Sequence, residues 1–159
     1  MDGVVAYTVN SLDRIYKGKY ESDKQYLKEL TNKAVWLAHS SVSDAMAIRE
    51  LGEGWVAEET WAIALFCAIR HIDSVENAII ASVNHNGDSD STGSVCGNIM
   101  GAIYGYEHIK NRNIFCPEGK QLEDTLELSE IILALADDLS TDCIQRVRSY
   151  RYSRKETVV

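Results

Sequence analysis

The sequence has very little proline and no long apolar run. Pro117 is the only proline among 159 residues. Because proline is the strongest helix breaker, its scarcity allows long uninterrupted helices. A membrane-spanning helix needs roughly 18 consecutive apolar residues, and neither such a run nor a secretory signal is present. We therefore expect a cytoplasmic protein with no membrane association.

Paired cysteines and excess positive charge are also lacking. The four cysteines form no Cys-x-x-Cys pair, which disfavours a zinc site or a disulfide framework and indicates reduced, buried thiols. Acidic residues outnumber basic ones by 24 to 16, giving a net charge of −8. This balance disfavours binding to nucleic acids. The sequence also lacks a serine or cysteine nucleophile motif and a phosphate-binding glycine loop.

The pattern that is present is helical. Apolar residues recur every third or fourth position along most of the chain, and no segment shows the alternation of a β-strand. These periodicities predict an all-α fold, a single-domain orthogonal helical bundle over residues 1–159. Residues 110–121 are the one irregular stretch, and residues 150–159 are expected to form a frayed tail.

Several helices carry specific expectations. Ser22 and Asp73 are placed to cap the helices that follow them. Residues 56–70 are apolar on almost every side, which predicts a central, buried helix. Residues 122–139 predict one long amphipathic helix, with a possible continuation to about residue 150 after a break.

Glycines fall on one stripe of another predicted helix. Gly93, Gly97, Gly101 and Gly105 occur at every fourth position. Each glycine weakens a helix by about 1 kcal/mol relative to alanine. The stripe therefore predicts that another backbone approaches this helix closely.

The acidic loop just before this helix carries the clearest chemistry. Residues 86–93 read Asn-Gly-Asp-Ser-Asp-Ser-Thr-Gly. Asp88 and Asp90 are two positions apart, so in an extended loop both carboxylates project to the same side. Such oxygen ligands suit Mg²⁺ or Mn²⁺ better than zinc. The loop is therefore a candidate metal site.

Two other interpretations of this loop are an EF-hand calcium site and a simple helix cap. An EF-hand calcium loop is excluded, because Ile99 stands where that motif requires a bidentate glutamate. Asp88 or Asp90 could instead cap the helix in a metal-independent bundle, although one aspartate is enough for a cap. Loops rich in Asp, Ser and Gly are common turn material, so metal binding and capping both stay open on the residues alone.

Two segments together resemble a known family. Residues 52–65 read Gly-Glu-Gly-Trp-Val-Ala-Glu-Glu-Thr-Trp-Ala-Ile-Ala-Leu, and residues 83–93 read Val-Asn-His-Asn-Gly-Asp-Ser-Asp-Ser-Thr-Gly. With the glycine-rich helix that follows, they resemble the C-terminal half of the ADP-ribosylglycohydrolase family, which includes the dinitrogenase reductase-activating glycohydrolases. The helix ending at residues 136–139, Ala-Asp-Asp-Leu, is similar to the closing helix of that family. The resemblance extends from the first helix to about residue 140.

The resemblance implies an all-α fold around a two-magnesium centre, with Mn²⁺ as an alternative ion. The metal ligands of the family map onto Asp88, Asp90 and Ser91. Trp55 and Gly87 are implied to contact substrate. Three further residues are implied to support the site from behind: Glu58, His85 and Thr92. No catalytic residue is identified.

The implied activity is Mg²⁺-dependent hydrolysis of the glycosidic bond between ADP-ribose and a protein side chain or related acceptor. The substrate would be an ADP-ribosylated protein or a small molecule containing ADP-ribose. An early glycine-rich acidic segment and a Thr-Asp-Asp motif, which supply the other ligands in the family, have no counterpart here. Asp137 and Asp138 follow Ala136 and do not replace that motif. We therefore expect an incomplete site that requires a second copy or an N-terminal-half partner chain. The alternative is a non-catalytic helical subunit that pairs with itself or a partner.

Overall fold

The computed structural model describes residues 2–110, 120 and 122–140. Within these ranges the chain forms helices and no strand, so the all-α prediction is confirmed. In chain order the helices are α1 (Asp2–Ile15), α2 (Glu21–Ala38), α3 (Asp44–Leu51), α4 (Ala57–Arg70), α5 (Val75–Val83), α6 (Ser89–Tyr104), α7 (Tyr106–Ile109), α8 (Leu122–Thr125) and α9 (Ser129–Ser140).

The chain divides into two compact units, residues 1–109 and residues 110–159. Helices α1 to α7 belong to the first unit and helices α8 and α9 to the second. A single domain over residues 1–159 therefore stays a prediction. The predicted tail at residues 150–159 and most of the predicted irregular stretch at 110–121 lie outside the described residues.

Helix α4 is the centre of the first unit. It packs against α2, α3, α5 and α6. The buried residues of this helix occupy every side: Thr60, Ala62, Ile63, Ala64, Leu65, Phe66, Cys67, Ala68 and Ile69. Burying a large aliphatic or aromatic side chain contributes about 1.5–3 kcal/mol, so this helix is a main source of stability. The prediction of a central, buried helix is confirmed.

The predicted cap of α2 is wrong. Its N-cap is Tyr20, with φ 55°, and Ser22 lies inside the first turn. The amide of Lys24 donates to the Tyr20 carbonyl at 2.9 Å. The ammonium of the same buried lysine donates to the Tyr16 carbonyl at 3.2 Å, which joins the start of α2 to the end of α1. This tertiary contact moves the start of the helix ahead of Ser22.

The predicted cap of α5 is also wrong by one residue. The hydroxyl of Ser74, not the carboxylate of Asp73, accepts the hydrogen bond from the Asn77 amide at 3.2 Å. A capping side chain bonds the amide two or three residues ahead. Because the first helical residue is Val75, Ser74 occupies the capping position.

Among the residues that the structure describes, no other backbone meets the glycine stripe of α6, contrary to the prediction. A Cβ placed on Gly93 would contact the Val83 side chain at 2.5 Å, whereas no atom of the described part of the chain lies within 4 Å at Gly101 or Gly105. The side chains that α6 buries lie on the adjoining stripe: Thr92, Cys96 and Met100. The spacing identified the correct helix but the wrong packing face.

The long helix predicted over residues 122–139 is divided. Helix α8 ends at Thr125 and α9 begins at Ser129. Leu128 between them has φ 57°, a left-handed conformation that an α-helix cannot continue through. The predicted continuation to about residue 150 lies outside the described residues. Within the described ranges, no helix is both long and apolar enough to cross a membrane.

Candidate functional site

Two loops meet backbone to backbone at the candidate site. The first is the turn at residues 52–56, between α3 and α4, and the second is the loop at residues 84–88, between α5 and α6. The amide of Asp88 donates to the Glu53 carbonyl at 2.8 Å. A Cβ on Gly87 would lie 2.6 Å from the Glu53 carbonyl carbon and closer still to its oxygen. Only glycine fits at position 87, and the close backbone approach is therefore here.

Glu53 and Gly54 of the turn are held by helix α4. The carboxylate of Glu59 accepts hydrogen bonds from the amides of Glu53 and Gly54 at 3.1 and 3.0 Å. The hydroxyl of Thr60 donates to the Gly54 carbonyl at 2.7 Å. Gly52 has φ +128° and Gly54 has φ +82°, conformations that other residues rarely adopt. The glycines allow the turn, and α4 fixes it.

Three predicted metal ligands and one predicted substrate contact line a common cleft. Asp88, Asp90 and Ser91 form its wall at the start of α6, and Trp55 borders it from the turn. The cleft has a volume of about 680 Å³ and also contacts Trp61. Trp55 is 67% exposed, and its indole N–H donates to the Glu53 carboxylate at 3.2 Å. The fold therefore brings an aromatic face and two carboxylates to one opening.

The charge of this cleft is negative. The neighbouring side chains of Asp90 and Ser91 hold the pKa of Asp88 below its ordinary value. Asp88 also stands at the N-cap position of α6, where the helix dipole favours an anion. The Asp88 side chain makes no capping hydrogen bond at that position, and capping does not account for Asp90 beside it. The Asp88 carboxylate is therefore ionised at neutral pH and available to a cation.

The donor atoms of the cleft are of the chemical type that a hard divalent cation prefers. Two carboxylates and a hydroxyl suit Mg²⁺ or Mn²⁺, whereas zinc prefers nitrogen and sulfur ligands. Among the residues that the structure describes, no group of three or more His, Cys, Asp and Glu side chains is arranged to hold a metal. The cleft thus supplies oxygen donors of the right chemistry and only part of a coordination sphere.

His85 and Thr92 lie behind the loop. The Gly87 amide donates to Nδ1 of His85 at 3.1 Å, so Nδ1 is an acceptor and Nε2 carries the proton. Nε2 then donates to the Thr92 hydroxyl at 2.8 Å. That buried hydroxyl donates to the Ser82 carbonyl at 2.7 Å. The three bonds tie the loop to the ends of α5 and α6.

Glu58 lies away from this site. It lines an apolar groove of about 350 Å³ formed with α1 and α2. The carboxylate that contacts the turn belongs to its neighbour Glu59, which the sequence reasoning missed. The signal was the pair Gly52 and Gly54, because a turn built on such glycines exposes amides that need an acceptor.

Comparison with known proteins identifies the family. A sequence model described as ADP-ribosylglycohydrolase matches residues 2–147. ADP-ribosylhydrolase ARH3 of Bos taurus is 26% identical over 117 residues, covering 67% of this chain and 32% of the relative. The ARH3 proteins of Homo sapiens and Mus musculus are 26% and 27% identical over the same length and coverage. The match thus spans about a third of these relatives, and no solved structure matches the chain. Because the family model covers well over half of the residues of this chain, the chain belongs to the ADP-ribosylglycohydrolase family.

Proposed function

We propose that the cleft between Trp55 and Asp88 is part of a Mg²⁺-dependent site. Its reaction would be hydrolysis of the glycosidic bond that joins ADP-ribose to a protein side chain or related acceptor. The observation that carries the proposal is the convergence of Asp88, Asp90 and Ser91 on the cleft that Trp55 borders, in a chain of this family. Members of the family are in general metal-dependent.

Asp88, Asp90 and Ser91 would hold the cation. Asp88 is ionised at neutral pH, because the pKa of an aspartate is acidic and the neighbouring Asp90 and Ser91 lower it further. A Mg²⁺ ion bound here supplies a Lewis acid that stabilises negative charge and orients oxygen ligands. His85, through Gly87, keeps the loop in the conformation that presents Asp88.

Trp55 would bind the substrate. Its exposed indole is a flat surface on which a nucleobase can stack, an interaction worth about 1–3 kcal/mol. The cleft volume of about 680 Å³ lies within the range of ordinary small-molecule sites. The substrate class that fits is an ADP-ribosylated protein or a small molecule containing ADP-ribose.

The site would be completed by groups beyond these side chains. Mg²⁺ requires nearly octahedral coordination by oxygen, and the cleft offers Asp88, Asp90 and Ser91. Water, substrate oxygens and a partner polypeptide are the remaining sources of ligands. We propose that a second copy of this chain, or a chain corresponding to the N-terminal half of the family, provides the missing protein ligands.

The experiment is a calorimetric titration of ADP-ribose into the chain, with excess Mg²⁺ or with chelator. We expect binding that depends on Mg²⁺ and weakens at least about tenfold in Asp88→Asn. Asp73→Asn is the matched control, because Asp73 is an exposed aspartate that does not line the cleft. Equal binding with chelator, or in Asp88→Asn, would contradict the proposal.

A second candidate function is that of a non-catalytic helical subunit. Trp36 on α2 is 65% exposed. Tyr7 and Ile15 on α1 are exposed to a similar extent. Exposed apolar surface favours association with another chain. Light scattering should then show a dimer that Trp36→Lys dissociates, and a wild-type monomer at micromolar concentration would contradict this function.

A further inference from the structure

We infer that Glu59 is the positioning residue of the Asp88 site. It fixes the turn at residues 52–56, and the backbone of that turn holds the loop that presents Asp88. That replacing Glu59 should weaken ligand binding rests on the proposed function. That it should speed hydrogen exchange of the Asp88 amide does not, and this exchange can be measured without metal or substrate.

The first step is the contact between Glu59 and the turn. One oxygen of its half-buried carboxylate accepts from two consecutive amides, those of Glu53 and Gly54. Hydrogen bonds to an ionised acceptor are roughly twice as strong as neutral ones. The carboxylate also fills the space beside Gly52 where any larger residue would place its Cβ. Glu59 therefore fixes the backbone conformation of the turn.

The second step passes through a single peptide group. The N–H of Gly54 donates to Glu59, and the C=O of the same peptide unit, that of Glu53, accepts from the Asp88 amide at 2.8 Å. A peptide group is planar and rigid, so fixing its N–H also fixes the direction of its C=O. A hydrogen bond on one side of a peptide also polarises and strengthens the bond on the other side. The carboxylate of Glu59 therefore acts on the position of Asp88 without touching it.

The third step concerns the opposite wall of the cleft. Trp55 directly follows this peptide, and its indole N–H bonds the side chain of Glu53. The same turn that holds Asp88 therefore also orients Trp55. Glu59 would in this way set the spacing between the aromatic face and the carboxylates on which the proposed substrate site depends.

The competing explanation for an effect of Glu59 on the site is a general stabilisation of α4 by acidic residues in its first turn. Both Glu58 and Glu59 lie in that turn, where the helix dipole stabilises negative charge. Only Glu59 bonds the turn, since Glu58 lines the groove formed with α1 and α2. Glu58 is thus a matched control with the same side chain, the same helix and a different neighbourhood.

The test compares Glu59→Ala with Glu58→Ala. In the metal-free chain we expect the Asp88 and Gly54 amides of Glu59→Ala to exchange with deuterium at least about tenfold faster, while Glu58→Ala leaves them unchanged. Glu59→Gln retains an acceptor oxygen and should recover most of the protection. Glu59→Asp, which is one methylene shorter, serves as the second variant if Glu59→Ala fails to fold, and should show the same acceleration.

A ligand-binding readout separates positioning from general stability. Mg²⁺-dependent affinity for ADP-ribose should fall about tenfold in Glu59→Ala, the lower end of the losses seen when groups that orient metal ligands from outside the coordination sphere are removed. It should not change in Ile63→Val, a substitution in the buried part of α4 that lowers stability without touching the turn.

The outcomes are distinct. Asp88 exchange in Glu59→Ala equal to that in Glu58→Ala would overturn the inference. Accelerated exchange of the Asp88 amide in Glu59→Ala, with a wild-type chain that binds neither Mg²⁺ nor ADP-ribose, would support the backbone linkage and contradict the proposal that this chain, alone or with a second copy, forms the binding site. Equal loss of ligand affinity in Glu59→Ala and Ile63→Val would show that Glu59 acts only on stability.

Discussion

Gly87→Ala is expected to separate the two loops of the site. The φ of Gly87 is not in the left-handed region, so the restriction is steric and comes from the Glu53 carbonyl. The new Cβ would lie 2.6 Å from the carbonyl carbon, whereas ordinary contact begins at 3.4 Å. The two loops must therefore move apart by at least about 0.8 Å, a displacement large enough to break the 2.8 Å hydrogen bond from Asp88 to Glu53.

Loss of that bond leaves a partly buried donor and acceptor without partners, which costs about 1–3 kcal/mol. In a chain of this size each kcal/mol lowers the melting temperature by about 2–4 °C. The assay is urea unfolding followed by circular dichroism, with hydrogen exchange of the Asp88 amide as the local readout. We expect lower stability and faster exchange in Gly87→Ala.

Gly101→Ala is the matched control. Gly101 lies inside α6, and no residue in the described ranges would contact its Cβ within 4 Å. Because alanine is the better helix former, this variant should gain about 0.5–1 kcal/mol. If Gly87→Ala were as stable as the wild type, the close packing of the two loops would be refuted.

Three further predictions concern buried and paired groups. Thr92→Val should lower the unfolding free energy by about 1–3 kcal/mol, because its buried hydroxyl donates to a main-chain carbonyl and accepts from a histidine. Cys67 and Cys96 should resist iodoacetamide until the chain unfolds, as peptide mapping would show, since both are fully buried and burial raises the pKa of Cys67 and raises that of Cys96 to about 11. Asp13→Asn should destabilise the chain in urea at neutral pH and lose its effect in acid. The hydrogen bond with Lys28 lowers the pKa of Asp13 in the folded state, so its contribution is present above the unfolded pKa and is lost as the pH falls through the folded one.

Each of these predictions has a contradicting result. Thr8→Val removes an exposed hydroxyl on α1, so its unfolding free energy should stay within about 0.5 kcal/mol of the wild type. If Thr8→Val and Thr92→Val lowered the unfolding free energy equally, the role assigned to the buried Thr92 hydroxyl would be contradicted. Reaction of iodoacetamide with Cys67 or Cys96 in the folded chain would show that the packing around α4 and α6 is open. A destabilisation by Asp13→Asn that does not vary with pH would rule out the ion pairs with Lys24 and Lys28 as its source.

The sequence predicted those features that depend on local pattern. The segment at residues 56–70, which is apolar on almost every side, identified the buried helix α4, because a helix without a continuous polar face must be covered on all sides. The spacing of Asp88 and Asp90 identified the loop that lines the cleft. These features follow from composition and periodicity, which need no knowledge of neighbouring helices.

Features decided by tertiary contacts were missed. Glu58 and Glu59 are adjacent in the sequence, and only the rotation of α4 determines which one bonds the turn. Ser74 caps α5 instead of Asp73 because the helix begins one residue later than the pattern indicated. The glycine spacing of α6 predicted a close backbone contact on that helix, whereas the close backbone contact occurs at Gly87 in the preceding loop.

The most direct test of the account is a Mn²⁺ titration of the chain, with free Mn²⁺ measured by electron paramagnetic resonance. The account predicts saturable binding that Mg²⁺ displaces. It also predicts that the double variant of Asp88→Asn and Asp90→Asn abolishes this binding, whereas Asp73→Asn retains it. Equal Mn²⁺ binding by the double variant and the wild type would contradict the assignment of the cleft as a metal site.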